Sequence, residues 1–265
     1  MNRWTFTVPN NVKSIPRSLI WVPAAAGLLV IIAVWHSGAD DSKSDAPKAP
    51  EIAVEKSDSI PATISMAKQG IEGVFGSVCA ACHGVEGEGN PELKAPSIAG
   101  MPAWYVEIQL EKFRSGIRGA HPEDLEGTQM RAMSIVLKPE WIQPMAKHVA
   151  ALKPRSTENT LGGDGDEVAW LYEQQCMACH RYNGQGERVF RSAPLTTLPD
   201  WYLAAALRKY RDGIRGPDEK EDPDAWKMHQ QARLLSDELI VDLAAYIAEL
   251  AQTYPPGVRR GRVRR

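Results

Sequence analysis

The four cysteines of this chain stand in two copies of one frame: Cys79, Cys82 and His83 in CAACH, and Cys176, Cys179 and His180 in CMACH. Two thiols one helical turn apart can add to the two vinyl groups of a haem, and the imidazole of the next residue then lies under the iron. Covalent attachment and axial ligation are thereby encoded together. A structural zinc site would want CxxC pairs roughly 15 to 20 residues apart, whereas these are 97 apart and each is followed directly by histidine. Thioredoxin-like chemistry would want one CxxC beside a βαβ pattern, and no such pattern is present. Disulfides suit an exported protein but leave both histidines unexplained. The frames therefore imply two covalently attached haem c groups, with His83 and His180 as their proximal ligands.

The distal ligand decides what such a haem does. A methionine thioether raises the reduction potential, a second histidine lowers it, and an open position allows gas binding or catalysis. Of eight methionines, Met130 and Met228 are the pair at equivalent positions, 47 and 48 residues after His83 and His180. They are the expected ligands; otherwise each is a flexible core filler. Met133, which falls on Gln231 in the other copy, competes in the first, and His229 competes with Met228 in the second. Each proximal imidazole must donate its other N–H, and Pro96 and Pro194 are expected to offer the accepting carbonyls. Arg118 and Arg215 either neutralise haem propionates or are simply solvated. Trp104, Tyr105, Trp201 and Tyr202 read as haem-wall packing or propionate donors.

These residues sit in one unit written twice. At an offset of 97, Trp104-Tyr105 falls on Trp201-Tyr202 and FRSGIRG from Phe113 falls on YRDGIRG from Tyr210. Order and spacing hold throughout, which marks a duplicated domain. The copies are expected at 66–153 and 164–254, with a linker at 154–163. Each reads as all-α, with about three main helices around its haem. The first runs into the cysteines. The second begins at Pro102 or Pro199 and ends near Gly116 or Gly213. The third follows Lys138 or Ser236, with Pro139 at a first helical position and Ser236 as an N-cap. Each copy is small for a self-sufficient core, and a covalent haem would supply the missing apolar interior.

Around the copies lie segments of other character. The formal charge of -2 is a cancellation: residues 66–250 carry 20 basic against 27 acidic side chains, while Arg259, Arg260, Arg262, Arg264 and Arg265 crowd a basic tail at 255–265. The total lacks the basicity of a nucleic-acid binder. Leu19 to Trp35 contains no charge and follows a leader, 1–18, that carries Arg3, Lys13 and Arg17. Residues 19–36 are expected to form a transmembrane helix with the N-terminus inside, or else an export signal cut near Ala39. Both readings export the body. Residues 37–65, rich in Ser, Asp, Lys and Pro, read as a solvated tether. The arginine tail would meet acidic lipid, meet an acidic partner, or stay disordered.

Taken together, CAACHGVEGEG, then APSIAGMPAWYVEIQLEKFRSGIRG, then Met130, all repeated from CMACHRYNGQG, resemble the di-haem cytochromes c of the cytochrome c4 type. The resemblance spans about residues 66–251. It implies two class I cytochrome c domains about a pseudo-twofold axis, both haems ligated by His and Met. It carries the thioether cysteines onto Cys79, Cys82, Cys176 and Cys179, the ligands onto His83, Met130, His180 and Met228, and the haem-proximal prolines onto Pro96 and Pro194. It further implies an electron carrier rather than an enzyme, placed on the periplasmic face of a bacterial inner membrane. Electrons would come from a quinol-oxidising cytochrome bc complex and go to a terminal oxidase, with no nucleic acid and no small-molecule substrate. A fixed subunit of a respiratory or dehydrogenase complex would use the same residues. A di-haem peroxidase would need one haem able to open a position, which the paired methionines oppose. The span at 19–36, the arginine tail, and His148 where the second copy has Tyr246 are departures from the pattern.

Overall fold

A computed structural model describes residues 70–257. The leader, the expected span at 19–36, the tether at 37–65 and the tail from 258 onward lie outside the described residues. Within them no helix is long and apolar enough to cross a membrane.

The two copies fold alike, and each is helical. Helix α1 (70–83) enters the first cysteine frame through a π-helical turn, Phe75–Cys79, before ending in Ala80–His83. Its counterpart α5 (166–180) repeats the device with a π turn at Tyr172–Cys176 followed by Met177–His180. The wider turn rotates each cysteine pair relative to the helix before it, a local distortion that recurs at functional sites.

Helices α2 (Ala103–Ser115) and α6 (Asp200–Arg211) follow, with Pro102 and Pro199 as their N-caps. Gly116 closes α2 with φ 80, a left-handed position that suits glycine. Helices α4 (Pro139–Ala151) and α8 (Asp237–Thr253) close the copies. Pro139 occupies the first turn of α4, and the Ser236 hydroxyl accepts from Leu239 N–H at the start of α8. In α8, Ile240, Leu243, Ala244, Ile247, Ala248 and Ala251 recur at helical spacing and are all buried. Helix α4 packs on α2, and α8 on α6.

Each copy also holds a helix beyond the three expected: α3 (Leu125–Val136) in the first and α7 (Pro223–Ala232) in the second. They carry Met130 and Met228. Asp124 and Asp222 cap them, accepting from Gly127 N–H and Ala225 N–H. On α3, Leu125, Ile135 and Val136 are exposed.

The first and last helices of each copy meet through one aromatic pair. Phe75 lies against His148 at 4.8 Å between ring centroids, and Tyr172 against Tyr246 at 5.2 Å. The His148 departure is therefore a ring substitution within the same contact. Residues 157–161 of the linker are stitched to the second copy. Thr157 donates its hydroxyl to the Leu198 carbonyl at 2.8 Å. The buried Asp200 carboxylate accepts from the Thr160 hydroxyl and from Leu161 N–H, each at 2.8 Å.

Candidate haem sites

Each site starts from a histidine whose ring is held in one orientation. His83 is buried at the end of α1, and its Nδ1–H donates to the Pro96 carbonyl at 2.8 Å. His180, equally buried, donates to the Ala193 carbonyl at 2.9 Å. Pro194 is therefore not the acceptor in the second copy. Ala193 is the residue 97 after Pro96, so the carbonyl keeps its place in the repeat while the proline moves by one. Because a carbonyl can only accept, Nδ1 carries the proton in both rings and Nε2 is left with the lone pair a metal needs. Burial draws both imidazoles below their ordinary pKa, partly opposed by these hydrogen bonds, which favours the neutral ligating form.

The acceptor loops are placed by close backbone approach. A Cβ at Gly89 would come within 2.8 Å of the Pro96 carbonyl carbon, and one at Gly186 within 2.6 Å of the Ala193 carbonyl oxygen. Both glycines also have positive φ, so the glycine-rich run after each cysteine frame is what brings the carbonyl to the imidazole.

In the first copy, Cys79, Cys82, His83, Pro96 and Met130 all line one apolar cavity. Burial, with Cys82 beside it, pushes the Cys79 thiol up to about 11; Cys176 is raised likewise, with Cys179 beside it. Met133 shares the cavity wall but is 40% exposed. In the second copy, half-buried Met228 packs against Tyr210, Ala225 and Ala232. His229 donates its Nδ1–H to the Tyr210 carbonyl.

Arg118 lines the first cavity. Its guanidinium donates to Gln109 Oε1 at 2.7 Å and to the Tyr202 hydroxyl at 2.8 Å, and covers the Phe113 ring. Its Nε is buried with no partner, as a donor reserved for an anionic group in the cavity would be. Two vinyl-reactive thiols, a neutral imidazole, a thioether, apolar walls and an unpaired cationic donor together fit a propionate-bearing haem. Arg215 takes the equivalent place, over Tyr210 and donating to the same Gln109 oxygen at 3.2 Å.

The cytochrome c family model matches residues 68–153 and again 166–251. The chain belongs to the cytochrome c family. As a cytochrome with two such domains it carries two covalently attached haem c groups, one per cysteine frame. It is 30% identical to a thiosulfate dehydrogenase electron acceptor of Stutzerimonas stutzeri over 66% of this chain and 79% of that one. It is 27% identical to the cbb3-type cytochrome c oxidase subunit CcoP of Azospirillum brasilense, over 71% of this chain and 63% of the subunit. Reduced cytochrome c4 from Pseudomonas stutzeri superimposes with a TM-score of 0.54 at 26% identity, covering 67% of this chain and 95% of that structure. The cytochrome is thus of the di-haem c4 type.

Its two domains meet through reciprocal contacts that the spacing of motifs left unseen. Lys112 of the first domain reaches Asp222 Oδ1 at 2.6 Å and Asp224 at 3.6 Å. Lys209 of the second reaches Asp124 Oδ1 at 2.6 Å and Glu126 at 2.7 Å. Leu198, Tyr202 and Lys209 close the first domain's haem cavity from the second domain. Burial would raise the Tyr202 phenol, but Arg118 and Arg215 beside it outweigh that and draw it down to about 8. The signal for the lysines was present in the repeat: Lys112 and Lys209 are 97 apart and open KFRSGIRG and KYRDGIRG.

Proposed function

We propose that the cytochrome is a membrane-anchored carrier of single electrons in the periplasm of a bacterium, taking them from a quinol-oxidising cytochrome bc complex and passing them to a terminal oxidase. Haem c, when bound, supplies an iron that takes up and gives back one electron. The chain's residues do the rest. His83 and His180 offer Nε2 from rings fixed by backbone carbonyls, and Met130 and Met228 offer thioethers that favour the reduced state. Carrying an electron efficiently needs a site that changes little between its two states, and fixed rings within apolar walls favour that. The observation that carries this reading is that both sites are built from the same pieces and share one interface. That arrangement suits relay better than a division into one catalytic and one feeding haem. The charge-free run at 19–36 supports the anchor, and Cys79, Cys82, Cys176 and Cys179 the two attachments.

One resemblance favours a second donor. The 30% identity to a thiosulfate dehydrogenase electron acceptor supports reduction by a thiosulfate-oxidising enzyme in place of the bc complex. Similarity to CcoP supports a fixed place within an oxidase. Anaerobic reduction kinetics with either donor separate the first two: reduction by the bc complex with quinol, and none by thiosulfate dehydrogenase with thiosulfate, is the expected result. The reverse would overturn the donor named here. In the oxidised protein, the methionine-to-iron charge-transfer band at the red end of the visible spectrum should have the intensity of two haems; half of it would remove one of Met130 and Met228. Intact mass of the purified protein should show two haems and an uncleaved N-terminus.

A further inference from the structure

We propose that each domain holds the other's methionine helix in place: Lys209 positions α3, which carries Met130, and Lys112 positions α7, which carries Met228. This rests on the ligation reading above and extends it to what keeps the ligands seated.

The argument begins at the caps. Asp124 and Asp222 are buried, and each spends one oxygen on the first turn of its own helix: Asp124 accepts from Gly127 N–H at 3.1 Å and Asp222 from Ala225 N–H at 3.0 Å. A capping carboxylate at a helix N-terminus is favoured by the orphan N–H groups there, but removed from water it also needs a counter-charge. That charge comes from the opposite domain in both cases. The Lys209 and Asp124 side chains are 23% and 4% exposed, and those of Lys112 and Asp222 are 13% and 7% exposed, so neither pair is a solvated surface ion pair. Each lysine adds a second acid of the same helix turn, Glu126 or Asp224. The groups facing the first cluster are Lys209 across the boundary and Lys94, 3.4 Å from Glu126, within the domain. Those facing the second are Lys112 across it, with Arg215, whose charge acts on Asp222, Arg191, 2.6 Å from Asp224, and Lys227, 4.0 Å from it, within the domain.

Removing one lysine leaves a buried capping carboxylate without the cation bonded to it, and the strain is relieved by loosening that helix turn. The methionine six residues further along, Met130 after Asp124 or Met228 after Asp222, is then freer to leave. The signature is crossed: a change in one domain is read at the haem of the other. In a merely structural role, damage would appear first in the domain that was altered.

The test uses the full-length protein with both haems attached. In the reduced protein the ligating methionine methyl of each haem gives its own strongly upfield proton resonance, assignable with Met130→Ala and Met228→Ala. Oxidised samples followed by the charge-transfer band report the pH at which each methionine is displaced. Lys209→Met should raise the displaced fraction at Met130 by at least about tenfold, a small part of what breaking a buried ion pair releases, and leave Met228 unchanged. Lys112→Met should do the reverse, and Lys209→Arg should restore most of the Met130 signal. Glu126→Gln, on a side chain that is 32% exposed, should act as Lys209→Met does but more weakly. Effects of the lysine variants confined to the altered domain or equal in both, or no effect of Glu126→Gln and Lys209→Met, would overturn the proposal. A wild-type protein lacking one of the two methionine resonances would instead sink the ligation reading beneath it.

Discussion

Met130 and Met133 lie one turn apart on the same cavity wall, and they separate by exposure and by position in the repeat. Replacing Met130 by histidine should lower that haem's potential by a sizeable fraction of the roughly 0.8 V range that axial ligands command, whereas Met133→Leu should shift neither haem. Spectroelectrochemical titration of the two variants distinguishes them. The two cysteine frames were legible, with the two buried histidines that close them, because their chemistry is packed into adjacent residues. The accepting carbonyl was legible in the first copy alone. A proline is visible in a sequence and a carbonyl is not, so Pro194 drew attention from Ala193. Arg118 and Arg215 stand out in the repeated GIRG, but nothing in the sequence marks them as donors sharing Gln109 across the domain boundary.

At the level of elements, the residue after each frame ends its helix at positive φ. In the first copy it is Gly84 with φ 80 and ψ 158; in the second it is Arg181 with φ 69 and ψ 162. That region is nearly reserved for glycine, and a side chain held there costs about 1 to 3 kcal/mol. The Tyr172 hydroxyl, donating to the Arg181 carbonyl at 2.8 Å, helps hold the turn. The ion pair of Arg181 with Glu187 is largely exposed and adds little. Arg181→Gly should therefore stabilise the second domain by about 1 kcal/mol, after roughly 0.4 to 1 kcal/mol is lost to the freer unfolded chain. Chemical denaturation followed at the haem absorbance would measure it, and destabilisation would show the turn to be unstrained. Helices α2, α4, α6 and α8 were readable from proline and serine caps and, in α8, from an apolar stripe. The methionine helices were not, because in α3 Leu125, Ile135 and Val136 face out and α7 is only 10 residues long, although Asp124 and the Asp222-Pro223 step mark their starts. The π turns carry no residue code and were invisible.

Across the whole molecule, the two domains are coupled through charges far apart in sequence, 110 residues for Lys112 with Asp222 and 85 for Lys209 with Asp124. Duplication could be seen in the sequence, but the pairing of one copy's lysine with the other's cap could not. The coupling has a pH limit with a definite sign. The Lys209 hydrogen bond outweighs some burial and, aided by Lys94, draws Glu126 from its ordinary 4.5 down to about 2. A carboxylate with a lowered folded pKa stabilises the native state above its unfolded value, and that contribution is lost as pH falls through the folded one. The Glu126 contribution is thus whole above about pH 4.5 and fades toward about pH 2. At neutral pH, calorimetry of the full-length protein should show one unfolding transition, because the linker and both lysine clusters tie the domains. Near the lower end of that window the transition should split, with the two haem environments melting apart. Glu126→Gln should weaken the coupling at neutral pH and flatten its acid dependence. A single transition persisting through the whole window in the wild type would mean that the apolar and linker contacts alone join the domains, and that the charges at their boundary serve only the helices they cap.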